Sequence, residues 1–129
     1  MKGVYVLVIE VDKDIQEKIG SLGNIRFQKG TYAYVGSAQN NLEKRVARHL
    51  SEKKNQFWHI DYLLNNKSAK ATKVFYREVG KSEECRIADR LKKSEGPVPK
   101  FGCSDCNCGS HLFMINDMKN ILDLGMEEL

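Results

Sequence analysis

The chain has 129 residues, 41% of them hydrophobic and 29% charged, with a formal net charge of +4. That length suits one compact domain with a core of its own, and the composition is that of a globular chain rather than a disordered or fibrous one. No apolar run approaches the roughly 18 residues of a membrane span, so no membrane partner is expected. The mild basicity is compatible with a polyanionic partner without specifying one.

The first predicted element is a buried strand over residues 4–11, a near-continuous apolar run rich in β-branched side chains. It lacks the small-residue cleavage site of a signal peptide, so a cytoplasmic protein is expected. Asp12 and Asp14 stand where helix caps do, and Ile15, Ile19 and Leu22 recur at helical spacing. They predict a short helix ended by Gly20 and Gly23. Residues 25–27 and 31–35 predict two strands around Lys29-Gly30, or one bent strand. Asn40 or Asn41 is a suitable N-cap for a helix whose stripe of Leu42, Val46 and Leu50 runs to about residue 51.

A second short helix is predicted over 57–64, where Trp58 with Tyr62 and Ile60 with Leu64 lie four residues apart. Residues 65–71 read as a polar loop and 73–79 as a strand. Ser82 caps a helix over 83–93, packed through Ile87, Ala88 and Leu91 and broken by Gly96-Pro97-Val98-Pro99. A cysteine-rich loop, a strand over 111–115 and a helix over 117–124 complete the order. With no repeat and no linker, 1–129 is expected to form a single domain, a small α/β or α+β sheet with helices packed on it.

Three places carry candidate chemistry. A tyrosine-bearing strand, residues 32–35, runs into Gly36 and then into a helix on which Arg45, Arg48 and His49 share one face. That combination suits a phosphate site, and it equally suits a basic surface helix. Arg48 and the Lys53-Lys54 pair are candidate non-specific phosphate contacts. Trp58 and Tyr62 read as core, and His59 as a rim residue, a nucleic-acid contact or a partner of the site. The third place holds Cys103, Cys106, Cys108 and His111 in the spacing C-x2-C-x-C-x2-H, with Cys85 on the preceding helix. Some four of these five would make a tetrahedral structural zinc site. Buried reduced thiols, with Cys103 the first to leave out of a metal set, and a disulfide involving Cys85 are the other two readings.

Gly3-Val4-Tyr5 and Tyr34-Val35-Gly36 resemble the two halves of the GIY-YIG nuclease signature, and the likeness continues through Ser37, Leu42, Arg45 and His49. The segments 29–38, 58–63 and 101–113 look like an uncharacterised branch of that superfamily, whose members can be fused to endonuclease III-type glycosylases. The resemblance implies a central, mostly antiparallel sheet flanked by helices, with a Cys/His-rich segment near the C-terminal end, about 101–113. It implies a metal-dependent endonuclease acting on DNA, with a link to repair and to repair proteins.

On the same basis Tyr5 or Tyr34 would be the general base, a role for which a tyrosine needs a nearby cation or metal. Arg45 would bind the transition-state phosphate, and His49 would orient a tyrosine or donate to phosphate. Gly36, Ser37, Arg48 and His59 would meet substrate, with Gly36 letting the backbone approach it closely. Mg²⁺ or Mn²⁺ would be held by Glu84, or alternatively by Asp89. A longer, helix-like insertion separates Tyr5 from Tyr34 in this chain. The alternative reading is a non-catalytic nucleic-acid-binding module that keeps the fold and the basic face. The oligomeric state is not given by the sequence.

Overall fold

The structure, a computed structural model, describes residues 2–51, 58–94, 96–102 and 109–129. Among the described residues the fold is α+β. A six-stranded antiparallel sheet comprises β1 (Gly3–Val11), β4 (Gly30–Ala38), β5 (Ala69–Arg77), β6 (Gly96–Pro97), β7 (Leu112–Ile115) and β8 (Glu127–Glu128), in the order β6-β7-β4-β1-β5-β8. A second, two-stranded sheet pairs β2 (Ile15–Lys18) with β3 (Asn24–Phe27). The helices are α1 (Leu42–Leu50), α2 (His59–Leu64), α3 (Ser82–Ser94) and α4 (Lys119–Leu122). No described helix is long and apolar enough to cross a membrane.

The central place of β1 explains its unbroken apolar run. Every residue of β1 but Glu10 is buried, because both faces of the sheet are covered. Tyr5, Leu7, Ile9 and Val11 point into one core cluster with α1, α2 and the β2–β3 hairpin, while Val4, Val6 and Val8 point into the other with Ile87, Ala88 and Leu91 of α3. The polar composition of residues 69–73 hides the start of β5. Ala69 and Ala71 face inward there while Lys70 and Thr72 are exposed. A register shift opposite Val8 and Ile9 leaves Thr72 as an extra residue, its hydroxyl donating to the Val8 carbonyl at 3.3 Å.

The insertion between β1 and β4 corrects the expected helix. It is a hairpin whose strands alternate half-buried Ile15 and Glu17 with exposed Gln16 and Lys18. The Ile15, Ile19, Leu22 spacing fits a helix on paper, but Ile15, Glu17 and Ile19 fit a strand as well. Gly20 and Gly23 at φ +47° and +77° make a one-turn 3₁₀ loop there instead. α2 begins at His59 and α4 spans only Lys119–Leu122, shorter than either apolar pattern predicts. The expectations resting on Lys53, Lys54, Phe57, Cys103, Cys106 and Cys108 lie outside the described residues.

Gly3 closes the far end of β1 against β5. A Cβ at Gly3 would overlap the Arg77 carbonyl, a backbone atom that cannot swing aside, whereas one at Gly80 would meet only Ser82 Oγ at 4.0 Å. Gly3→Ala is therefore expected to lower unfolding stability by about 1–3 kcal/mol, and Gly80→Ala to leave it within about 0.5 kcal/mol. Urea midpoints at constant m-value measure both.

Candidate functional site

The β1–β4 register sets the site. Tyr5 stands directly opposite Gly36, which puts Tyr34 on the diagonal of the same sheet face. A Cβ at Gly36 would lie 2.5 Å from Tyr5 Cζ and 2.6 Å from its hydroxyl oxygen. The absent side chain thus makes room for the tyrosine ring, where the sequence reading expected room for substrate. Above this face runs α1, whose first turn is capped by the Asn41 side chain accepting from the Lys44 N–H at 2.9 Å. As the spacing predicts, α1 places Arg45, Arg48 and His49 together. His49 and Tyr5 are each 2% exposed, and His49 Nε2 lies 2.8 Å from the Tyr5 hydroxyl. The His49 ring also meets Tyr34 edge-on at 6.3 Å and tilts against Trp58 at 6.0 Å.

Arg45 links these rings to the end of β4. Its Nη1 donates to the Ser37 carbonyl at 2.8 Å. The Ser37 hydroxyl in turn donates to Glu84 Oε2 at 2.8 Å. Glu84 Oε1 lies 3.1 Å from Nδ1 of the buried His111, and the same nitrogen lies 3.1 Å from the Val35 carbonyl. Both partners of that nitrogen are acceptors, so Nδ1 carries the proton. His111, read from sequence as a candidate zinc ligand, faces Glu84. Asp89 lies five residues further along α3, about 140° around the helix, and is exposed. The two carboxylates are thereby separated, and only Glu84 joins the cluster.

Burial alone would raise the Glu84 carboxyl, but the hydrogen bonds from His111 and Ser37, with the charges of His111 and Lys81, outweigh it and hold it below the ordinary 4.5. The tyrosines go the other way. Burial drives the Tyr5 hydroxyl far above the ordinary 10.0, although the charge and hydrogen bond of Arg45 oppose it. Burial likewise raises Tyr34, aided by Tyr5, Glu84 and Asp61. The site therefore rests with an ionised carboxylate beside two neutral phenols.

Trp58, read from sequence as core, belongs to this site, and so does Asp61, which carried no role in the sequence reading. Trp58 is half-buried, and the guanidinium carbons of Arg45 and Arg48 each stand 4.6 Å from its ring centroid. Asp61 is fully buried and takes both nitrogens of the Arg48 fork at 2.9 Å, while its Oδ2 also accepts the Trp58 N–H at 2.8 Å. Arg48, expected to meet phosphate, thus has its charge matched by Asp61. A carboxylate two residues into a short helix reads in sequence as an ordinary N-terminal turn, so nothing marks this pairing. His59, at the start of α2, accepts the Gly102 N–H on Nδ1 at 2.8 Å and packs its ring against Phe101. Gly102, at φ +76°, is pressed against His111 and Tyr34, where an added Cβ would lie 3.0 and 3.4 Å away.

Cys85 is disulfide-bonded, the third of the states the sequence left open. An oxidised sulfur is not the thiolate that zinc binds, so Cys85 drops out of the expected zinc set. Among the described residues no three His, Cys, Asp or Glu side chains gather as a metal group. A family model described as a domain of unknown function, DUF123, matches residues 4–128, and the chain belongs to that family. No curated protein and no solved structure matches it.

Two outcomes test the site's physical chemistry. Arg48→Met leaves the Asp61 carboxylate buried without its counter-charge, and an expected loss of about 2–4 kcal/mol is read from urea unfolding. His59 is held below the ordinary 6.5 by burial, so the unfolded chain binds a proton that the folded one refuses. Its contribution to stability is full above 6.5 and is lost as pH falls toward the depressed folded value. The wild-type urea midpoint should therefore fall more steeply than that of His59→Gln as pH drops below about 6.5.

Proposed function

We propose that this member of the DUF123 family is a metal-dependent phosphodiester hydrolase acting on DNA, of the GIY-YIG type its sequence resembles, with repair as its setting. The observation that supports this most is the linked series His49–Tyr5, Arg45–Ser37 and Ser37–Glu84–His111. It gathers a proton-accepting pair, a guanidinium fork and an ionised carboxylate at one end of the β1–β4 pair. Phosphodiester hydrolysis needs each of these: a group to take the proton of the attacking water, and positive charge and a metal site for the phosphate.

The carboxylate fits a hard divalent ion. Glu84 is 16% exposed and ionised, and each of its oxygens spends one lone pair on the protein and keeps another. One carboxylate with waters is an ordinary Mg²⁺ or Mn²⁺ site, and the bound ion would polarise the phosphate. The other residues act through their own protons and charges. Tyr5 is neutral, so it takes a proton from water only as its own passes to His49 Nε2. Arg45, anchored on the Ser37 carbonyl and on Trp58, presents a planar fork for the equatorial phosphate oxygens. His111 and Ser37 keep Glu84 oriented and charged.

Incubation with Mg²⁺ or Mn²⁺ and single-stranded, duplex and branched DNA tests the reading. Tyr5→Phe, Arg45→Gln and Glu84→Gln are each expected to slow cleavage by about 10²–10⁴-fold, while Asp89→Asn cuts like the wild type. Salt-sensitive binding without cleavage by the wild type would instead select a nucleic-acid-binding module with a degenerate site. A wild type that neither binds nor cuts removes both.

A further inference from the structure

We infer that His59 is a substrate-anchoring residue: its Nε2–H, an uncharged donor in a fixed tautomer, bonds a phosphodiester oxygen next to the one hydrolysed. The inference deepens the phosphodiesterase reading and rests on it. The chemistry begins with Nδ1. A backbone N–H can donate only to a ring nitrogen with a free lone pair, and Gly102 donates to His59 Nδ1 at 2.8 Å. The proton of the neutral ring must therefore sit on Nε2. Burial of the ring, which opposes a positive charge, works in the same direction.

Position supplies the second half. His59 follows Trp58, the ring on which Arg45 and Arg48 rest. Its own ring lies 5.7 Å from Phe101, which is 6.2 Å from Tyr34. Gly102, its hydrogen-bond partner, abuts Tyr34 and His111. A half-buried donor at this point is joined through Phe101 and Gly102 to Tyr34, without belonging to the Tyr5–Arg45–Glu84 series. Arg48 cannot serve the same end as well, since its fork is engaged by Asp61.

The test uses the whole protein, a short labelled DNA duplex in EDTA to block cleavage, and copies of that duplex with one methylphosphonate linkage each. His59→Phe is expected to raise Kd about tenfold, and His59→Gln, whose amide can both accept from Gly102 and donate onward, to recover most of it. The slope of log Kd against log salt should not change, because a neutral donor releases no counterion. One methylphosphonate position should weaken the wild type but not the Phe variant, a coupling that a purely structural role does not produce. If the Phe variant melts early, His59→Met replaces it, since its thioether is neutral and donates nothing. Wild-type affinity in these variants, Gln as weak as Phe, or no coupled linkage overturns the inference alone. A wild type that binds none of the duplexes overturns it together with the reading beneath it.

Discussion

A tyrosine hydroxyl on the central strand of this sheet has to be satisfied inside the core, and much of the molecule is arranged to satisfy it. Tyr5 is 2% exposed, and a hydroxyl buried there without a partner would cost on the order of 1–3 kcal/mol. His49 supplies the partner from α1, so the helix must dock with that face toward β1. Gly36 must lack a side chain for the ring to reach it. A link across 44 residues of chain, from Tyr5 to His49, is thus made by one hydrogen bond between two side chains. Fold and candidate chemistry share that bond, so the pair cannot be moved without reseating α1.

The charges around this pair are sorted by burial rather than by number. The two arginines of α1 are chemically alike and both lie over Trp58, yet they have different partners. Arg48 meets a fully buried carboxylate in a two-point fork, and that fork and the Trp58 N–H help replace the water Asp61 loses on burial. Arg45 meets a carbonyl, a dipole that orients a guanidinium without cancelling its charge. One arginine therefore holds the aromatic platform in place, and the other keeps its charge beside Tyr5. A formal net charge of +4 conveys none of this division.

How much could be read from the residues follows the range of the forces involved. Local pattern identified β1, β4, α1 and α3, where one period dominates, and the Arg45, Arg48, His49 face, which helical geometry alone fixes. The strand over 25–27 was legible as β3, but its partner β2 was not, because Ile15 and Ile19 satisfy both the helical and the strand period. What decides between them is pairing with Ile25 and Phe27 and the left-handed glycines. Glu84 and Asp89 could not be ranked from sequence, since the phase of α3 against the sheet depends on Ile87, Ala88 and Leu91 packing into the second core cluster. Asp61 and His111 act across 13 and 76 residues of chain, and no local signal reports such distances.

The orientation of Glu84 shows why these long-range contacts matter for any chemistry at this end of the sheet. A glutamate on the first turn of a helix has three rotatable bonds, and ordering it costs up to about 2 kcal/mol of rotamer freedom. Here one oxygen is held by Ser37 from β4 and the other by His111 from the segment leading into β7, while the backbone is held by α3. Three separately packed elements therefore converge on a single carboxylate. The freedom is lost during folding, so a ligand does not have to remove it again on binding. The same two hydrogen bonds that orient the group also keep it ionised against the pull of burial. Position and charge are thus set by the same atoms, and His111, though buried and remote in sequence, is as much a determinant of the carboxylate as the helix that bears it.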